Sequence, residues 1–188
     1  MKSNHDLQTL ILDKNNLNTT FAFTAINSII AAGSSLKVLS LAHCHLVDTF
    51  GHAFAAAMKT NKGLVKFNFY GNEMTSRTLE TLSIALKETL GSLSEFNMGK
   101  NALTDTGGLK LSEVLARNTK LVKINLEDND FTDETALSIN RNLVFNRNLE
   151  EINLKRNRIN IRVLEMLQTT VTKIRENKIK AQLPDWID

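Results

Sequence analysis

Cysteine, proline, tryptophan and tyrosine each occur once in the 188 residues, as Cys44, Pro184, Trp186 and Tyr70. A lone cysteine excludes an intrachain disulfide and suits a reducing compartment. One proline and eight glycines leave no stretch rich enough in either to act as a linker, so no internal domain boundary is expected. There is no run of 18 apolar residues, so no membrane span is expected. The opening MKSNHDLQTL lacks the apolar segment of a signal peptide, and a cytoplasmic location is expected. Neither charge sign dominates: 23 basic against 20 acidic residues give a net charge of +3. That balance argues for neither nucleic acid nor a membrane surface. Aromatic residues are only 6% and fall mostly at core positions, so stacking platforms for bases are missing. Hydrophobic residues at 42% and charged residues at 23% are in globular proportion.

What the chain has in abundance is repetition. One phrase recurs six times: LQTLILDKNNL, LKVLSLAHCHL, LVKFNFYGNEM, LSEFNMGKNAL, LVKINLEDNDF and LEEINLKRNRI, starting at 7, 36, 64, 93, 121 and 149. The starts are 28 or 29 residues apart. Each copy is apolar at its first, fourth, sixth and eleventh positions. Positions four and six (Leu10/Leu12, Leu39/Leu41, Phe67/Phe69, Phe96/Met98, Ile124/Leu126, Ile152/Leu154) alternate as on one face of a short strand. Position nine is Asn15, Cys44, Asn72, Asn101, Asn129 and Asn157. Side-chain amides there predict a buried ladder that satisfies the backbone of the turn leaving each strand.

A helix is predicted after each phrase. Its apolar stripe reads Ala22/Ala25/Ile29, Gly51/Phe54/Met58, Leu79/Leu82/Leu86, Gly108/Leu111/Leu115, Ala136/Ile139/Leu143 and Leu164/Leu167/Val171. Thr19, Asp48, Thr75, Thr104 and Thr132 stand where an N-cap oxygen is needed. Asn61, Asn118 and Asn146 stand where the helix stops and suit a left-handed residue. One unit cannot bury its own apolar face, so the six must stack. Helices need about 10 Å of width and strands about 4.8 Å, so the stack bends with its strands on the concave side.

The phrase LxxLxLxxNxL at this period resembles the ribonuclease-inhibitor-like class of leucine-rich repeats. LTDTGGLKLSEVLARNTKL and FTDETALSINRNLVFNRNL resemble the repeats of NOD-like receptors. Similar repeats also occur in effector proteins of intracellular bacteria. The resemblance covers residues 7 to about 171 and implies an α/β leucine-rich-repeat solenoid, a horseshoe, whose members bind other proteins. The nucleotide-binding domain of NOD-like receptors is absent, so that activity is not implied. The whole chain, 1–188, reads as one such domain, with a C-terminal helix and cap over 160–188. Leu183, Trp186 and Ile187 are expected to fold back over the open end of the sixth unit. The first unit shows no cap, leaving its strand edge open, paired with a partner, or exposed in a fragment.

Several groups invite a chemical reading. His43-Cys44-His45 with Asp48 looks metal-like, but Cys44 holds the ladder position and is expected to be buried, and a tetrahedral site needs four convergent ligands. Gly107-Gly108 lacks any phosphate-loop pattern around it, and close packing explains it. Glu127, Asp128 and Asp130 are matched one unit later by Lys155, Arg156 and Arg158, which predicts lateral ion pairs across the ladder. No nucleophile–base constellation is present, so no catalysis, cofactor, metal or small-molecule substrate is expected.

The remaining candidate is the concave face, built from strand positions three, five and seven. Position three is Thr9, Val38, Lys66, Glu95, Lys123 and Glu151; position five is Ile11, Ser40, Asn68, Asn97, Asn125 and Asn153. Position seven is Asp13, Ala42, Tyr70, Gly99, Glu127 and Lys155. The residues from Lys66 to Lys155 in these rows, Gly99 excepted, form the candidate partner-binding set. Tyr70 beside Gly99 is expected to be exposed and to act as an anchor. The function expected is protein–protein interaction by a chain that is monomeric when unbound. The alternative is an inhibitor or regulator of a partner enzyme, for example a bacterial effector acting on a host or fellow effector protein.

Overall fold

The structure is a computed structural model that describes residues 6–31, 35–88 and 91–181. Six three-residue strands form one parallel sheet in chain order: β1 (Thr9–Ile11), β2 (Val38–Ser40), β3 (Lys66–Asn68), β4 (Glu95–Asn97), β5 (Lys123–Asn125) and β6 (Glu151–Asn153). The register matches like with like, so that Leu10, Leu39, Phe67, Phe96, Ile124 and Ile152 lie in one row. A helix follows each strand: α1 (Thr20–Ala31), α2 (Asp48–Met58), α3 (Ser76–Glu88), α4 (Asp105–Leu115), α5 (Asp133–Asn142) and α6 (Ile161–Lys180). A short 3-10 turn, Leu143–Phe145, ends α5.

The apolar rows of sheet and helices close on one another as a continuous core. Phe50, Phe54, Phe67, Phe69 and Phe96 fill its middle; Phe54 meets Phe69 edge-on at 4.7 Å and Phe67 stacks on Phe96 at 5.3 Å. Burying each ring contributes roughly 1.5–3 kcal/mol. Phe21 and Phe145, by contrast, are exposed on the helix side. The helix stripe falls as the spacing predicts in units two to six, but in unit one Phe23, Ile26 and Ile30 face inward in place of Ala22, Ala25 and Ile29. Asn18 adds one residue ahead of the cap residue Thr19, so α1 starts and turns one position later.

The turn after each strand is held by two devices. Position eight is left-handed in all six copies: Lys14, His43, Gly71, Lys100, Asp128 and Arg156. In five of them its N–H donates to the position-seven carbonyl of the next unit, as from Lys100 to Glu127 at 2.8 Å. The ladder at position nine forms as expected in units two to six, whereas Asn15 of the first unit is exposed and its side-chain amide donates only to its own Leu12 and Asp13 carbonyls. Asn129 donates Nδ2 to Met98 and Leu126 carbonyls at 3.1 Å, and its Oδ1 accepts the Leu103 N–H at 3.0 Å. Cys44 takes the same slot, fully buried, its Sγ 3.1 Å from the Leu12 carbonyl.

The helix ends differ from expectation. Asn61, Asn118 and Asn146 are not left-handed. They form a second ladder instead: Asn146 donates Nδ2 to the Leu115 carbonyl at 2.7 Å and accepts from Leu149 N–H at 2.9 Å, and Asn61 likewise bridges Ile30 and Leu64. At the helix starts, Thr132 caps α5 with its side chain, whereas Thr104 makes no such bond and Asp48 lies inside α2, with Val47 at the cap.

Asp48 reaches forward to the next unit. Its carboxylate accepts from Thr75 N–H at 2.8 Å, Thr75 Oγ1 at 2.5 Å and Thr78 Oγ1 at 2.6 Å. Asp105 does the same with Thr132 and Thr135. Burial alone would raise both carboxyls, but these hydrogen bonds outweigh it and hold both below the ordinary range. One helical turn further on, Gly51 and Gly108 leave room for the buried Thr78 and Thr135; a Cβ on either glycine would come within 2.3 Å of the threonine. The latch Asp-x-x-Gly against Thr-x-x-Thr thus joins units two to three and four to five, 57 residues apart (105 less 48).

The cap residues expected at Leu183, Trp186 and Ile187 lie outside the described residues.

Candidate binding face

With positions four and six in the core, positions three, five and seven of each strand make the opposite, inner wall of the sheet. Lys66, Lys123, Glu151 and Lys155 are exposed; Asn68, Tyr70, Glu95, Asn97, Asn125, Glu127 and Asn153 are half-buried. The candidate set therefore lies on one continuous surface.

The first row alternates in sign and pairs along the ladder, Lys66 to Glu95 at 2.9 Å and Lys123 to Glu151 at 3.5 Å. Each pair is largely open to water, so it contributes roughly 0–1 kcal/mol and sets no strong field. The lateral pairs expected between units five and six are corrected in part. Asp130 pairs with Arg158 at 2.8 Å, but Glu127 accepts from Asn153 at 2.9 Å rather than from Lys155, and among the described residues Asp128 and Arg156 form no pair.

The asparagine row is structural at one end. Each Oδ1 accepts the N–H two residues on: Asn68 from Tyr70, Asn97 from Gly99, Asn125 from Glu127 and Asn153 from Lys155, at 2.9–3.1 Å. These bonds satisfy backbone donors where the strands end. The spacing alone assigns the row to binding; an asparagine as the last strand residue in four consecutive copies is the signal for this second role.

Tyr70 is half-buried, a correction to the exposed anchor expected. Its ring lies 5.4 Å edge-on to His43, and a Cβ at Gly99 would sit 3.0 Å from it, so Gly99 is the space that Tyr70 and Glu127 lean over. His43 and His45 flank the buried Cys44; His45 meets Glu73 at 3.1 Å. Burial pushes the Cys44 thiol up, away from the reactive thiolate. Among the described residues no group of three or more His, Cys, Asp or Glu is placed to hold a metal ion, and no helix is long and apolar enough to cross a membrane.

No protein-family model and no curated protein matches the chain in sequence. Solved structures do. Actin-binding site 2 of leiomodin-1 superposes with a TM-score of 0.70 at 14% identity, over 85% of this chain and 95% of that one. The C-terminal domain of tropomodulin from Caenorhabditis elegans gives 0.56 at 12% identity, over 95% and 90%. An internalin from Listeria monocytogenes gives 0.51 at 20% identity, over 87% of this chain and 46% of its own. At these identities the likeness speaks of architecture. Parallel strands in chain order, a helix behind each and an asparagine ladder between them make the fold a leucine-rich-repeat solenoid.

Proposed function

We propose that this chain is a protein-binding module that grips its partner along the strand face. The observation that carries the reading is the face itself. Six aligned strands present three rows of side chains on the side of the sheet away from the helices, and the exposed Lys66, Lys123, Glu151 and Lys155 stand among them. A catalytic reading finds little support in the most perturbed groups. Asp48 and Asp105 are saturated by threonine hydrogen bonds, and Cys44 is buried beneath a turn. The ribonuclease-inhibitor-like subtype and the cytoplasmic setting belong to this proposal too, resting on the repeat phrase and on a single buried thiol.

The leiomodin structure is described as an actin-binding site, so purified actin is the first protein to try. Partner capture followed by mass spectrometry extends the search. The test is the pair Lys123→Glu and Lys155→Glu, both outside the core. Each is expected to weaken partner binding measurably; Lys155→Glu shifts stability by no more than about 0.5 kcal/mol, and Lys123→Glu, which loses its pair with Glu151 and stands in register between Glu95 and Glu151, lowers it by about 1 kcal/mol. A partner that binds both variants as tightly as the parent would place the interface elsewhere.

A further inference from the structure

The four asparagines of the strand face do not end alike. Because each Oδ1 accepts a backbone N–H, the orientation of each amide is fixed; turning it over would aim an NH2 group at another donor. Every Nδ2 must therefore look away from its own strand. At the ends of the row this donor is engaged: Asn68 donates to Ser40 Oγ at 3.0 Å, and Asn153 to Glu127 Oε2 at 2.9 Å. Asn97 and Asn125, in register on β4 and β5, make no hydrogen bond through Nδ2 among the described residues. They lie in the floor of a depression of about 380 Å³ on the strand face.

The rim of that depression is Lys66, Glu95, Lys123 and Glu151, two charges of each sign already paired. A charged ligand group would leave water and meet no net opposite charge. Two neutral donors about 4.8 Å apart, in a neutral frame, match two neutral acceptors. We propose that the Asn97 and Asn125 amides receive two main-chain carbonyls of an extended partner segment laid across β4 and β5. Same-side carbonyls of such a segment stand about 6.8 Å apart, and tilting each hydrogen bond outward by about 20° takes up the difference. This assignment rests on the strand-face reading above and names the chemistry that face reads.

Peptides selected from a displayed library of random 12-residue sequences on the parent chain are the probe, each then titrated as a synthetic fluorescent peptide. Asn97→Asp with Asn125→Asp keeps an oxygen for the Gly99 and Glu127 N–H groups and replaces each free donor by an acceptor. The expected result is at least a tenfold loss of affinity with an unchanged fold by circular dichroism. Should the double variant melt early, each single substitution is expected to lose about threefold. The parent's Asn97 and Asn125 side-chain amide resonances are expected to shift on titration. Unchanged or tighter binding by the aspartate variants overturns the proposal, tighter binding meaning that the site takes donors or cations. If Lys123→Glu and Lys155→Glu release the peptides while the aspartate variants do not, only this inference falls. If none of the four substitutions matters, the strand-face reading falls with it; a library that yields no binder overturns this inference alone.

Discussion

Gly108→Ala puts the latch between units four and five under direct load. The new Cβ would stand 2.3 Å from Thr135 Oγ1, 2.6 Å from its Cγ2 and 3.0 Å from the Phe131 ring. Thr135 is wholly buried and β-branched, so it cannot turn aside without breaking its 2.6 Å bond to Asp105. In an unstrained helix the change would stabilise by about 1 kcal/mol, because alanine outranks glycine there. Overpacking costs about 1–3 kcal/mol, and a hydrogen bond to a charged group is worth about 1.5–3 kcal/mol. Taking the middle of each range leaves a net loss of about 3 kcal/mol, or roughly 6–12 °C for a chain of this size. Thermal melting by circular dichroism reads the shift. The double variant Gly108→Ala/Thr135→Ala removes the clashing atoms, so it is expected to be less destabilised than the sum of the two single changes. A melting temperature for Gly108→Ala at or above the parent's would refute the claim that this glycine is kept for close packing.

Acid should find the same latches. Asp48 and Asp105 are held below the ordinary carboxylate range in the folded chain. Their contribution is complete above the unfolded value near 3.9 and is lost as pH falls through the folded value. Asp48→Asn with Asp105→Asn is therefore expected to lower stability at pH 7 and to flatten the acid limb of a pH–stability profile; an unchanged limb would deny the carboxylates their role. Asn129→Ala orphans the Leu103 N–H, while the Met98 and Leu126 carbonyls keep second donors from Asn101 and Asn157. The cost expected in a urea titration is about 2 kcal/mol, set mostly by one buried donor. Cys44, buried and with its thiol pushed up, is expected to react with a thiol reagent only after unfolding in urea; full labelling of the native chain would contradict its burial.

The repeat phrase made the sheet, its register and most of the core legible, because position and role coincide in every copy. Four features were hidden for identifiable reasons. Position eight is left-handed in each unit, yet five of its six residues are Lys, His, Asp or Arg, and the turn is imposed by neighbouring strands rather than announced by glycine. Asn61 and Asn146 look like local helix stops in the sequence, whereas their amides donate to carbonyls one unit back, where local spacing says nothing. The α1 stripe slipped by one because a single residue, Asn18, changes the phase of everything after it. The candidate face was located as a surface, but Tyr70 leans on His43, and half of each asparagine amide belongs to the backbone; both depend on side-chain contacts across units that periodicity does not reveal.

The latch also makes odd and even modules unequal building blocks. Excising 36–92 removes a couple and brings the first module against another of the kind it already meets. Excising 64–92 alone brings Asp48 against Thr104 but sets Gly51 opposite Gly107, two bare backbones facing across a void where Thr78 had been. Growth or shortening of such an array, by an engineer or by unequal recombination, is expected to be tolerated in steps of 57 and penalised at half that stride.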